Sequence, residues 1–102
     1  MFKIEPNPTF PATITVVGQG REQTLEVVYK HHTLEEYEAL LNDIHEGRKT
    51  AIEAALELTE SWNADMELSA ETLDRLQKVQ PGCVGLIIGA FGQELMVARK
   101  GN

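Results

Sequence analysis

The spacing of apolar residues changes once along the chain, at Thr33, and that change restricts the fold more than any single motif does. Before it, Phe10, Ala12, Ile14 and Val16 alternate with Pro11, Thr13 and Thr15, and Leu25, Val27 and Tyr29 alternate with Thr24, Glu26 and Lys30. A period of two places each apolar set on one face of a strand. Gly18-Gln19-Gly20 lies between the two runs and tolerates positive φ, so residues 10–30 read as an antiparallel β-hairpin. A lone hairpin is marginal in water, and its apolar face needs a cover. Phe2-Lys3-Ile4-Glu5 also alternates, but Pro6 and Pro8 limit it to a short extra edge strand at most.

From Thr33 onward the pattern is helical. Thr33 and Glu36 have the spacing of a capping box, and Leu34, Tyr37, Leu40, Leu41 and Ile44 follow as a stripe that Gly47 ends. Thr50 and Glu53 repeat the box ahead of Ile52, Ala55, Leu56 and Thr59, which predicts a second helix to about Trp62, continuous with the first if Gly47 is tolerated. Asn63-Ala64-Asp65 is turn material. Ser69 then caps a short third helix carrying Leu73, Leu76 and Val79, and Pro81 suits the first turn of a fourth. In that fourth helix Val84, Ile87, Ile88, Phe91, Leu95 and Ala98 share about 100° of arc. The fold class is therefore α+β: a hairpin followed by about four α-helices, in a single domain over residues 1–102 with its helical part at about 33–100.

Gly82, Gly85, Gly89 and Gly92 fall on a separate strip of the fourth helix. Interior glycine weakens a helix by about 1 kcal/mol relative to alanine, so something must compensate. Gly85, Gly89 and Gly92 are expected to let another helix approach closely, within the chain or from a second copy. A buried strand over Gly85–Phe91 is the alternative, because apolar periodicity cannot decide short runs.

Chemistry-bearing patterns are scarce. His31, His32 and His45 lack the spacing of a metal site, and Cys83 has no partner segment that would make it a nucleophile. Gly18-Gln19-Gly20 has no following helix N-terminus or Lys-Ser/Thr, as a phosphate loop requires. The carboxylates at 35, 36, 38, 43 and 46 decorate a solvated helix face, and Trp62 reads as a packing residue. No catalytic residue, metal or cofactor is expected.

Charge narrows the partners. Residues 31–80 hold twelve of the sixteen acids and four of the nine bases, within a net charge of −7. Nucleic acid and anionic membrane surfaces both need clustered cations, so neither is an expected partner. The charge-free run Val79–Gln93 is fifteen residues long with four glycines, shorter than the ~20 apolar residues of a spanning helix. One cysteine and no secretory signal point to the cytoplasm.

Several fragments, in order, resemble the tail assembly chaperones of long-tailed bacteriophages: Pro6-Asn7-Pro8-Thr9-Phe10 before the hairpin, and Tyr29-Lys30-His31-His32-Thr33 leading into Glu35-Glu36. Trp62-Asn63, Leu68-Ser69, Leu73, Leu76 and Pro81 follow, and Ala98-Arg99-Lys100-Gly101-Asn102 closes the chain. The glycine-dense 82–92 stretch departs from the pattern. The resemblance implies a non-enzymatic protein of the host bacterial cytoplasm, absent from the mature virion, that binds and solubilises the tape measure protein and self-associates. It also implies a possible longer form made by frameshifting. Val84, Leu86, Ile88, Phe91 and Leu95 are then the expected contacts for self-association or client, unless they only fill the chain's own core. The alternative function is a structural neck or tail-completion protein retained in the particle.

Overall fold

A computed structural model describes residues 1–101; Asn102, the last residue of the closing Gly-Asn, lies outside them. Strands β1 (Thr9–Gly18) and β2 (Arg21–Lys30) form the hairpin, in register from Thr9↔Lys30 to Gly18↔Arg21. The two-residue turn places Gln19 at φ 54° and Gly20 at φ 80°. Positive φ is costly for a residue with a side chain. Gln19 offsets this with its amide, whose Nε2 donates to the Val79 carbonyl at 2.8 Å and ties the hairpin tip to the helical layer.

Four helices follow: α1 (Leu34–His45), α2 (Ala51–Leu58), α3 (Ala70–Val79) and α4 (Cys83–Leu95). Both capping boxes form. The Glu36 amide donates to Thr33 Oγ1 at 3.1 Å and the Thr33 amide to Glu36 Oε1 at 2.8 Å; Glu53 and Thr50 reproduce the arrangement at 3.1 and 2.9 Å. Ser69 caps α3 through the Thr72 amide. Gly47, at φ 78°, ends α1 and separates it from α2.

Four expectations are corrected. The second helix stops at Leu58, and Thr59–Trp62 is a third strand, β3, antiparallel to β2, giving the order β1-β2-β3. Thr59 pairs with Tyr29 and Trp62 with Val27, with a bulge between. The bulge lets two residues three positions apart both turn inward, which imitates helical spacing in the sequence. The additional strand is thus β3, and Phe2–Glu5 forms none. Pro81 precedes α4 instead of starting it: Gly82 is the N-cap, at φ 97°. The stretch from Cys83 through Gly92 is helical, as its wheel predicts, but the helix ends at Leu95, before Ala98, which is exposed.

The helices cover the inner face of the sheet. Val27, Tyr29, Leu58, Leu73, Val84, Ile87 and Phe91 are almost fully buried between them. Phe91 is the centre of an aromatic cluster, with ring centroids 5.3 Å from Tyr29, 5.8 Å from Phe10, 5.1 Å from Tyr37 and 5.8 Å from His32. Two phenols fasten the layers. Tyr29 Oη donates to the Ile87 carbonyl at 2.6 Å and Tyr37 Oη to that of Ile88 at 2.9 Å.

Candidate functional site

α4 divides sharply between an inward and an outward arc. At 100° per residue, Cys83, Val84, Ile87, Ile88 and Phe91 occupy one side and are buried, while Gly82, Gly85, Leu86, Gly89 and Gln93 occupy the other and are exposed. Of the five contact residues read from the sequence, Val84, Ile88 and Phe91 therefore pack inside this chain. Leu95 is half-buried against the same core, and Leu86 is 45% exposed.

The three helix-interior glycines also part company. A Cβ on Gly92 would lie 2.6 Å from Tyr37 Oη and 2.8 Å from Cε2, so Gly92 is the place where the Tyr37 ring of α1 packs against the backbone of α4. A Cβ on Gly85 or Gly89 would meet nothing within 4 Å among the described residues. The strip seen in the sequence is thus an internal contact at one end and open surface along the rest.

A second apolar strip was hidden in the stripe of α1. Tyr37 and Leu40 are buried, but Leu34 and Leu41, two turns apart on the same side, are 48% and 39% exposed. Glu35 and Glu38 flank this strip on its solvent side.

The groups with perturbed acidity are structural. Burial first, and the Glu94 charge second, push the Tyr29 phenol far above its usual value of 10.0; burial likewise raises Tyr37 and the Cys83 thiol. A thiol held in its neutral form is a poor nucleophile. His32 Nδ1 lies 2.9 Å from the Lys30 carbonyl and its ring meets Phe91 edge-on. Among the described residues no three His, Cys, Asp or Glu side chains come together as a metal set. An open cleft of about 460 Å³ between the hairpin tip and α3 is lined by Val16, Leu25, Leu76 and Val79, with Arg21 and Arg75 beside them. Among the described residues no helix is long and apolar enough to cross a membrane.

The arrangement offers surfaces for other macromolecules: the outward arc of α4, the leucine strip of α1 and the open flank of the sheet. Comparison with curated proteins and with solved structures gives no significant match. A model of the family described as phage tail assembly chaperone matches residues 1–102. That match spans hairpin, helices and tail alike, and with it the chain belongs to the phage tail assembly chaperones.

Proposed function

We propose that this tail assembly chaperone covers apolar helical surface of the tape measure protein during tail assembly, as a homo-oligomer and without making or breaking bonds. Family membership over the whole chain carries the reading. Leu34 and Leu41 on α1 suit the client, because an amphipathic helix with two leucines two turns apart can lie along an apolar helical seam. Such seams aggregate when left bare. Leu86, flanked by Gly85 and Gly89, suits self-association: the missing side chains let a second copy come near α4. Val84, Ile88, Phe91 and Leu95 support that surface from beneath. Repeated weak contacts in an oligomer add to a firm yet reversible hold, and the acidic helices keep the assembly soluble. The protein then acts in the host cytoplasm and leaves before the particle is complete, with a frameshifted longer form as a further possible partner.

Co-expression with the tape measure protein tests this. The wild-type chain is expected to raise the client's soluble fraction, and Leu34→Glu with Leu41→Glu to abolish that gain while thermal unfolding stays unchanged. A client equally insoluble with and without the wild-type chain would sink the proposal. Mass spectrometry of purified virions is expected to find no copy, and a stoichiometric amount would instead favour a neck or tail-completion component.

A further inference from the structure

We infer that β1 docks a second copy of this chain edge to edge, the two strands antiparallel about a twofold axis. The inference rests on the self-association proposed above and assigns its surface.

Register and hydrogen bonding together define the open edge. The His31 amide donates to the Pro8 carbonyl at 2.9 Å, one step beyond the Thr9↔Lys30 pair. Bonded pairs alternate in an antiparallel ladder, so the even-numbered residues of β1 turn their backbone groups to β2. The groups of Thr9, Pro11, Thr13, Thr15 and Val17 point the other way. No described backbone or side-chain group bonds them. Pro11, which has no N–H to give, stands at one of these outward positions.

The two edges of the sheet are treated differently. β3 is four residues long, carries Glu60 and is offset by a bulge, all devices that discourage pairing. β1 has ten residues, no residue between Glu5 and Arg21 is charged, and Pro11 is its one interruption, which leaves the outward groups of Thr13, Thr15 and Val17 as an unbroken run. A long, uncharged edge is a pairing template unless something covers it.

Charge and chemistry select a second copy as the occupant. In a chain of net charge −7 this is the neutral flank, so two copies meet here without bringing acids together. Pairing of β1 with its twin would keep the two β2 strands, with Glu22 and Glu26, three strand spacings apart, about 14 Å, beyond the ~8 Å screening length of physiological salt. The helical client proposed above has no free strand to offer, whereas β1 matches itself. Residues of like parity pair across the axis, which aligns Ala12, Ile14 and Val16 with the same inner row of the partner and sets threonines beside threonines on the outer row. Leu86 lines the same cleft as Val16 and Val17, so the seam also covers the exposed side chain of α4.

Thr15→Pro removes one outward N–H per copy and no hairpin bond, in a strand that already holds Pro11. Two interchain hydrogen bonds are lost, and the association constant is expected to fall roughly tenfold or more by sedimentation equilibrium. Thr15→Lys, an edge-protecting substitution, is expected to act likewise with unchanged circular dichroism. In the wild type, the amides of Thr13, Thr15 and Val17 are expected to gain protection from hydrogen exchange as concentration rises. A self-associating wild type whose variants associate equally well, or whose three amides stay unprotected, overturns the edge and leaves self-association standing. Protection that needs added tape measure protein, or that spreads to Phe2 and Ile4, overturns it in favour of a client strand or an exchanged arm. A wild type monomeric at every concentration overturns the self-association reading itself.

Discussion

Gly89 and Gly92 lie one turn apart on α4, yet alanine should act on them in opposite directions. At Gly92 the new Cβ would stand 2.6 Å from Tyr37 Oη, so the ring must leave and give up its bond to the Ile88 carbonyl. Overpacking of this kind costs about 1–3 kcal/mol, against a gain of about 1 kcal/mol in helix propensity. Gly92→Ala is therefore expected to lower stability in urea unfolding. Gly85→Ala and Gly89→Ala meet nothing and should each raise it by about 1 kcal/mol, while weakening self-association if a second copy lies on that surface. Equal stabilisation at all three positions would contradict the close contact of the Tyr37 ring with Gly92. The sequence displays the glycine strip because helical pitch is local. It cannot display which glycine has a neighbour, because that neighbour arrives from a distant helix.

At the scale of elements, the two capping boxes set the response to acid. The Glu36 carboxyl is held below its ordinary 4.5 chiefly by the Thr33 amide, and Glu53 likewise by that of Thr50. A carboxyl lowered in the folded state stabilises the fold above its unfolded value, and that contribution disappears as pH falls through the lowered one. Thr33→Ala and Thr50→Ala remove the hydroxyl half of each box and are expected to cost about 1 kcal/mol each at neutral pH. Glu36→Gln and Glu53→Gln instead remove the titrating carboxyls, and wild type and these two variants should converge in stability as pH drops below the ordinary 4.5. A constant difference down to full protonation would rule out this role for the boxes. Both boxes were legible because their residues are three apart in the chain. β3 was not, since Thr59 and Trp62 carry the spacing of a helix and owe their strand pairing to Val27 and Tyr29 and to a bulge that local pattern does not encode.

Across the whole molecule, Phe91 joins β1, β2, α1 and the strand-to-helix junction at His32 to α4. Truncating a buried phenylalanine costs about 3–5 kcal/mol, a large share of the roughly 5–15 kcal/mol that stabilises a domain of this size. Phe91→Ala is expected to lower the melting temperature sharply, whereas Leu86→Ser should leave it nearly unchanged. A fully stable Phe91→Ala protein would refute that central place. Family membership was legible at this scale, from the order of individually weak fragments along the chain. The stripe through Val84, Ile88 and Phe91 was legible too, but the choice between core and contact surface was not, because an apolar stripe looks the same whether it faces its own sheet or a stranger. Phe91 also comes after the hairpin and the first three helices in the chain, so a ribosome makes all of them before it supplies the ring. Until that ring emerges, the hairpin and the first three helices have nothing to close on, and their oily sides stay wet.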